Sequence, residues 1–416
     1  MRYGLFLMLA GLGLAIQVAA GQEAGQFLYG TVTTKSGEDY SGPLRWDDEE
    51  ILWTDHFNAL KTHNEFLGEL APEDLKFLEN RGPSRIRRLG DLMDLLSREN
   101  RFSDFREPHA FVCRFGDIAS LTPTGDDMVR LELRNGESML LADNSNDLGS
   151  GTTLQVYDAE AGLKKIRWQT VASVRFGAAP EGAATPWGAP LYGSVQAQSG
   201  SFNGFIQWDH DERVGSDVLD GELEAEDVSI AFADIAAIAK SESGSRVTLK
   251  TGETLMVTGS NDVNEENRGL YVELANGARM DVPWSDFTRI EFARPANPAP
   301  GYQDFAAPVR LTGSVMLRDD GKLSGRFAFD LDEAWDIEML NGRAGVLGYA
   351  IPFRHIARIE VLDEDSVRTT LADGSQLLLA HDQDVSERND GLLVFGEERP
   401  RFVRWLDVAA IDMQRD

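Results

Sequence analysis

The stretch V-T-L-K-T-G-E-T-L-M-V-T-G-S-N-D-V-N-E-E-N-R-G-L-Y-V-E-L, residues 247–274, decides the fold of this 416-residue chain. Apolar and polar residues alternate on both sides of Thr251-Gly252, a pattern that predicts a β-hairpin with one buried face. A second part, D-V-P-W-S-D-F-T-R-I-E-F at 281–292, closes with another alternating run. We interpret the whole stretch as a β-scaffold with little catalytic chemistry.

Near copies of this stretch occur before and after it, which predicts an internal repeat of roughly a hundred residues. The copies share hairpin dipeptides, and Asn-Gly and Asp-Gly are strong turn signals. These dipeptides are Asn135-Gly136, Thr251-Gly252 and Asp373-Gly374. They also share a late tryptophan, at Trp168, Trp284 and Trp405, which we expect in the core.

The repeat predicts an all-β fold: three homologous small β-barrel or sandwich domains in tandem, with an α-helical insertion in the first. Segments rich in Ala, Pro and Gly separate the copies and are typical of linkers. The predicted boundaries are a signal peptide at 1–20, domain 1 at 21–178 with the insert at about 59–108, a linker at 179–190, domain 2 at 191–293, a linker at 294–308 and domain 3 at 309–416.

The insert is the one element without a counterpart in the other copies. Pro72 suits the first turn of a helix, and leucines at helical spacing between 89 and 96 predict a second helix. A local basic cluster makes the insert our candidate partner surface. Its residues are Arg81, Arg85, Arg87 and Arg88. The alternative is that the insert packs on the first barrel or on an acidic neighbouring domain.

Each copy begins with a strand, a Gly turn, a second strand and an acidic loop, and then an apolar-Asn or apolar-Asp pair. These pairs are Phe57-Asn58, Leu219-Asp220 and Leu340-Asn341. The pattern resembles the first motif of the Sm-like family, and Asn267-Arg268-Gly269-Leu270 is similar to the Arg-Gly step of its second motif. The resemblance implies a small SH3-like barrel, and in that family it goes with ring assembly and RNA binding. We carry over the barrel geometry alone.

The charge of the chain argues against binding to nucleic acid. Its formal net charge is -29 and its isoelectric point is near 4.6, whereas phosphate binding needs clustered Lys and Arg. We therefore expect no nucleic-acid partner and no binding to an anionic membrane surface.

The N-terminus predicts export. Arg2 precedes an apolar run from Leu5 to Ile16, and Val18-Ala19-Ala20 supplies small residues, so we expect a signal peptide cleaved after Ala20. No later stretch is long enough to cross a bilayer. The location would then be periplasmic or extracellular. The single cysteine, Cys113, lies in an apolar strand pattern, which predicts a buried thiol and excludes a disulfide framework.

The loop after each central hairpin is dense in Asp and Asn. Asp147, Asp262 and Asp384 stay in register, with Asn261 and Asp382 beside them. Calcium takes six to eight oxygen ligands, and these loops could supply several of them. The alternative, which we favour, is that each carboxylate fixes a turn by accepting main-chain N–H groups. We expect no other cofactor.

A second acidic loop follows the second strand, with Asp47, Asp209 and Asp330 in register. Paired carboxylates can hydrolyse glycosides, but we expect these residues to lie in a solvated loop. The tryptophans outside the repeat alignment are candidates for sugar stacking. They are Trp53, Trp187 and Trp335.

The sequence lacks a Gly-x-Ser-x-Gly elbow, a phosphate-binding Gly-Lys loop and a His-Glu-x-x-His motif. We expect an exported, non-enzymatic binding or structural repeat protein of the cell envelope that contacts a protein or a glycan. One alternative is an envelope hydrolase acting on a glycan through carboxylates near the insert. Another is a calcium-dependent adhesion or assembly protein.

Overall fold

A computed structural model describes residues 24–80, 110–125, 127–143, 147–183, 185–396 and 399–414. It confirms an all-β fold, with thirty strands and one α-helix, α1 (Pro72–Asn80), within these ranges. The predicted signal peptide and all four arginines of the insert lie outside them. The helices that the structure describes include none with the length and apolar character needed to span a membrane.

The strands fall into three segments of ten. Segment 1 (24–177) holds β1 (Tyr29–Thr34), β2 (Asp39–Trp46), β3 (His56–Lys61), β4 (Ala110–Arg114), β5 (Ile118–Pro123), β6 (Met128–Leu133), β7 (Ser138–Ala142), β8 (Thr153–Asp158), β9 (Gly162–Arg167) and β10 (Val171–Phe176). Segment 2 (191–293) holds β11 (Tyr192–Ala197), β12 (Gly200–Trp208), β13 (Val218–Leu223), β14 (Glu226–Ala231), β15 (Ile235–Ser241), β16 (Gly244–Leu249), β17 (Thr254–Val257), β18 (Leu270–Glu273), β19 (Arg279–Val282) and β20 (Phe287–Phe292).

Segment 3 (309–414) holds β21 (Thr312–Leu317), β22 (Lys322–Ala328), β23 (Met339–Ala344), β24 (Leu347–Pro352), β25 (Ile356–Val361), β26 (Ser366–Leu371), β27 (Gln376–Ala380), β28 (Leu392–Phe395), β29 (Arg401–Val403) and β30 (Val408–Met413). Short 3-10 helices occupy Ala24–Gln26, Leu67–Glu69, Phe115–Asp117, Trp168–Thr170, Phe232–Asp234, Tyr302–Asp304, Phe353–His355, Gln383–Val385 and Trp405–Asp407.

The strands of the three segments pair antiparallel in the same order. In each, the first strand lies between the second and the tenth, the fifth joins the sixth and the tenth, and the eighth joins the second and the ninth. The third strand pairs with the fourth and meets the seventh, in segment 2 through the single bridge Glu222↔Thr258. That the three segments are homologous domains with the predicted boundaries stays a prediction.

The predicted hairpins and core positions are confirmed. The turns join β6 to β7, β16 to β17 and β26 to β27. Gly252 has a φ of 90° in its turn, a conformation that glycine adopts without steric cost. The repeated tryptophans Trp168, Trp284 and Trp405 are at most 6% exposed, and Cys113 is fully buried.

Segments 2 and 3 join through main-chain pairing. β19 pairs with β24, with Met280 opposite Tyr349, so the two segments share one eighteen-stranded sheet. Their apolar side chains also form one continuous core, which includes Met280 and Ile351. Segment 1 keeps a separate ten-stranded sheet, and its apolar core includes Trp335 and Ile337 of segment 3.

The two connections between the segments pack against segment 1. In the first, the Trp187 ring lies 6.3 Å from that of Phe27. In the second, the Tyr302 ring lies 4.6 Å from that of Trp53, and Phe305 joins the core of segment 1. Both connections are therefore anchored by aromatic residues.

The described start of the insert packs on segment 3. Phe66 and Leu70 form an apolar cluster with Leu331 and Leu393, and the Asn64 amide donates to the Leu331 carbonyl at 3.0 Å. Further along, the Phe77 ring of α1 lies 6.2 Å from Phe402. The rest of the helical insert lies outside the described residues and stays a prediction.

Candidate functional site

The candidate site is a cavity of about 720 Å³ at the place where all three segments meet, which we call the junction cavity. Its size lies within the range of small-ligand sites. Segment 1 contributes Asp47, Glu49, Glu50, His56, Asn58 and Asp147; segment 2 contributes Gln207, His210, Arg268, Tyr271, Arg279 and Asp281; segment 3 contributes Asn341, Arg343, Gly348, Tyr349, Ala350 and Asp382. Nearly every lining residue is polar.

One wall of the cavity is the pairing between β19 and β24. Side chains alternate along a strand, so Arg279 and Asp281 face the cavity while Met280 between them is fully buried in the apolar core. The same alternation therefore builds the core of segments 2 and 3 and the polar wall of the site.

A carboxylate closes the same tight turn in each segment. One oxygen of Asp55, Asp217 and Glu338 accepts two consecutive main-chain N–H groups, three and four residues earlier in the chain. In Asp55, for example, Oδ2 accepts from Ile51 and Leu52 at 2.8 and 2.7 Å. The other oxygen is left to bind a cation.

That second oxygen binds a cation from another segment in all three cases. Arg213 of segment 2 binds Asp55 of segment 1 at 2.9 Å, and Arg45 of segment 1 binds Asp217 of segment 2. Lys61 of segment 1 binds Glu338 of segment 3. The repeated turns thus supply three carboxylates, and each binds a cation from another segment. These ion pairs join segment 1 to segments 2 and 3.

The innermost part of the site is a buried charge network around His56. Arg213 is fully buried, and Arg279 is paired with both Asp55 and Glu273. Burial, with the nearby charge of Arg279 and other arginines, lowers the pKa of His56 well below 6.5. His56 is therefore a neutral imidazole at neutral pH. Its Nε2 is buried without a hydrogen-bond partner among the described residues.

Two carboxyl groups meet across the boundary of segments 1 and 2. Glu49 hydrogen-bonds to Asp211, and burial together with this bond and the Asp211 charge raises the pKa of Glu49 to about 8. Burial and the charges of Asp147 and Glu49 raise the pKa of Glu50 as well. Glu49 therefore holds a proton at neutral pH, which makes it a hydrogen-bond donor within the cavity.

Arg268 and Tyr271 complete the segment 2 side. The Arg268 guanidinium binds Asp211 and lies 3.5 Å from Asp209. The Tyr271 ring stacks on His210, with centroids 3.8 Å apart, and carries the Arg279 guanidinium 5.1 Å from its centroid. With a stacked imidazole and a guanidinium already against the ring, a ligand would meet Tyr271 chiefly through its hydroxyl.

The shared carboxylates of the loops that could bind calcium have the same role in all three segments. Each shared carboxylate accepts a main-chain N–H from the third strand of its own segment: Asn58 to Asp147, Asp220 to Asp262 at 2.7 Å, and Asn341 to Asp384 at 2.6 Å. Burial is the largest cause that raises their pKa values, to about 7, 6 and 7 respectively. This geometry matches the turn role that we favoured, and calcium binding stays a prediction.

The other predicted site residues are separated. Asp147 and Asp382 both line the junction cavity, whereas the Asn261 amide donates to Asp209 within segment 2 at 2.5 Å. Asp262 and Asp384 are buried in their own segments. The predicted partner residues Arg81, Arg85, Arg87 and Arg88 lie outside the described residues.

The prediction of a solvated second acidic loop is wrong for segments 2 and 3. Asp209 and Asp330 are at most 1% exposed, and each accepts hydrogen bonds from its own segment, Asp209 from the Arg268 N–H and Asp330 from the Gln383 amide, whereas Asp47 is half-buried. In segment 3, ligand oxygens of Asp330, Asp332 and Glu333 lie within 4.8 Å of one another, and the Lys61 ammonium is 3.5 Å from Asp332. Lys61 supplies a cation to this cluster from within the chain.

Sequence reasoning missed the arginines of the site. Arg213 occupies the turn position that Ile51 and Ala334 occupy in the other segments, as the shared hydrogen bonds show. The signal in the sequence was that this turn position carries an arginine in segment 2 and an apolar residue in the other two segments. The three unaligned tryptophans, Trp53, Trp187 and Trp335, are buried, so they offer no exposed ring to a sugar.

Comparison of the chain with protein-family models, with curated proteins and with solved structures finds no match. The partial resemblance to the Sm-like family gains no support from these comparisons.

Proposed function

We propose that the protein is a binding protein that takes one neutral, hydroxyl-rich ligand, such as a short glycan, in the junction cavity. The observation that carries this proposal is that a single polar cavity is built from side chains of all three segments. A site of this kind occurs once per chain, whereas a surface made by the repeat alone would occur three times.

The balance of charge in the cavity favours a neutral ligand. Glu49 holds its proton at neutral pH and burial raises the pKa of Glu50 as well, while the other lining carboxylates face three arginines of opposite charge. The lining offers donors from arginine, amide and protonated carboxyl groups and acceptors from carboxylates. Sugar hydroxyls both donate and accept, so they match this mixture better than a ligand with one net charge.

The test is a thermal-shift panel of neutral oligosaccharides, with cellobiose, chitobiose and maltotriose as probes. A ligand bound by the native state raises Tm. Arg343 lines the cavity, its side chain is exposed, and it forms no ion pair within the described part of the chain. Arg343→Ala should therefore weaken binding, by at least about tenfold for a lost charge-assisted hydrogen bond, without changing Tm in the absence of ligand.

The matched control is Arg246→Ala, which removes an exposed arginine of β16 outside the cavity lining. It should leave any Tm shift unchanged. The absence of a shift with all probes, or equal weakening by both substitutions, would count against glycan binding in this cavity.

A second candidate is hydrolysis of a glycan, and the protonated Glu49 is the observation that favours it. A glycosidase needs a carboxylic acid that keeps its proton near neutral pH to protonate the leaving oxygen, together with an ionised carboxylate. Glu49→Gln should then abolish release of reducing sugar while the Tm shift persists. A bound probe that stays intact with the unsubstituted protein leaves binding as the function.

The sequence-based expectation of export remains part of the proposal, because a periplasmic or extracellular protein would meet envelope glycans. A protein partner is the other expectation for the binding role.

A further inference from the structure

The pairing of β19 with β24 shows how one segment of this fold binds the next. The ninth strand of segment 2 adds its free edge to the fourth strand of segment 3, with Asp281 opposite Gly348 and Arg279 opposite Ala350. The contact is antiparallel and is made by main-chain hydrogen bonds. Its geometry therefore does not depend on particular side chains.

The equivalent edges of segments 1 and 2 are open. Among the described residues β9 pairs only with β8, and β14 pairs only with β13. Both strands are largely exposed, and Leu163 in β9 is 50% exposed. The fourth strand of segment 1 and the ninth strand of segment 3 are covered, because most of β4 is buried and Phe402 of β29 packs on α1. An unpaired ninth strand and an unpaired fourth strand are therefore presented to solvent.

The existing contact fixes the register that these two edges would adopt. Ile166 lies opposite Leu154 as Val282 lies opposite Leu270, so Lys165 corresponds to Asp281. In the same way the hairpin pairings place Asp227 where Gly348 stands. Transferring the register of β19 and β24 sets Lys165 directly opposite Asp227.

The charges of the two edges are complementary. In a chain with a net charge of -29, β9 carries Lys164, Lys165 and Arg167, whereas β14 begins with Glu226 and Asp227. Opposite charges on directly facing residues stabilise a strand pair, and lysines on an edge prevent that edge from pairing with itself.

We propose that β9 of one copy pairs with β14 of a second copy, in the register that β19 and β24 use within the chain. Both edges are open in a single copy, so the pairing joins separate molecules. Each copy offers one edge of each kind, which makes the contact heterologous and the assembly head-to-tail, closed or open. This inference is independent of the proposed ligand.

The test uses two charge reversals, Lys165→Glu and Asp227→Lys, measured by sedimentation velocity at low salt. The unsubstituted protein should sediment above the monomer mass. Each variant alone faces like charges and should lose association by at least about tenfold. A one-to-one mixture of the two variants restores opposite charges at both edges and should regain it.

Lys35→Glu, which reverses an exposed lysine in the turn between β1 and β2, is the matched control and should associate as the unsubstituted protein does. Monomers at all concentrations for the unsubstituted protein would overturn the proposal. Association that survives both reversals, or a mixture that stays monomeric although both variants remain folded by circular dichroism, would overturn it as well.

Discussion

Segments 2 and 3 are joined differently from segments 1 and 2, although all three share one strand scheme. The first junction is a continued β-sheet over a common apolar core, with Met280 and Ile351 fully buried. The second, the charged junction, combines a small apolar cluster, in which Ile51 packs with Val214, with the buried ion pairs of Arg213 with Asp55 and Arg45 with Asp217. The difference shows that the strand scheme does not dictate how its copies dock.

The two junctions should also respond differently to conditions. Apolar burial and main-chain pairing change little with pH, whereas buried carboxyl groups link stability to protonation. Segments 1 and 2 contribute most of the cavity lining, including Glu49 with its raised pKa, so the part of the molecule that would bind a ligand is also linked to pH. The following predictions test this contrast.

The largest effect is expected at the charged junction. Arg213→Ala leaves Asp55 buried without its closest cation and should lower the free energy of unfolding by about 3–5 kcal/mol. Arg289→Ala, which breaks an exposed pair with Glu291, should cost less than about 1 kcal/mol. Urea unfolding measures both, and equal losses would show that the buried pair has no special role.

At the apolar junction, Met280→Ala should cost about 2–5 kcal/mol, because it removes a fully buried side chain and leaves a cavity. Met256→Ala, at a side chain that is 43% exposed, is the control and should change little. The loss for Met280→Ala should be the same at acid and alkaline pH. A loss that depended on pH would contradict the predicted difference between the two junctions.

Stability should fall as pH rises from about 5 to about 9. The folded-state pKa values of Glu49 and Glu212 are raised from 4.5 to about 8 and about 9, so the folded protein binds these protons more tightly than the unfolded chain does. The stabilisation is full below the unfolded pKa and is lost as pH passes the folded value.

Glu49→Gln should flatten this pH dependence of Tm between pH 6 and 8. One proton corresponds to at most about 1.4 kcal/mol per pH unit, and the partly exposed carboxyl should contribute less because water screens it. Glu253→Gln, in an exposed turn, should leave the slope unchanged. If Glu49→Gln leaves the slope of Tm against pH unchanged, Glu49 does not cause the pH dependence.

The smallest effect is expected from calcium. Since Asp262 already accepts the Asp220 N–H, we expect the same Tm with calcium as with chelator. Asp262→Asn retains an acceptor oxygen and should cost only about 1 kcal/mol. A calcium-dependent rise in Tm that Asp262→Asn abolishes would instead establish a metal site in these loops.

The sequence predicted the local part of this fold well. Asn135-Gly136 and Asp373-Gly374 marked their hairpins, and Trp168 and Cys113 marked the core, because turn chemistry and alternation act over a few residues. These signals depend on neighbours in the chain, which a sequence shows directly.

The site itself depends on contacts that the sequence does not show. Glu49 and Asp211 are 162 positions apart, and the repeat indicated only that they are equivalent, not that they meet. We therefore expected their loops to be solvated, whereas burial is the largest cause of the raised pKa of Glu49. Arg213 was detectable as the odd residue in its repeat position, but its partner Asp55 was not.

The central claim is that the three segments together form one binding site. Titration calorimetry with the oligosaccharide that gives the largest Tm shift tests it directly through the stoichiometry. The account predicts one ligand bound per chain, with binding weakened by Arg343→Ala. Three equivalent ligands per chain would contradict it, since they would place the sites on the repeated surface of each segment.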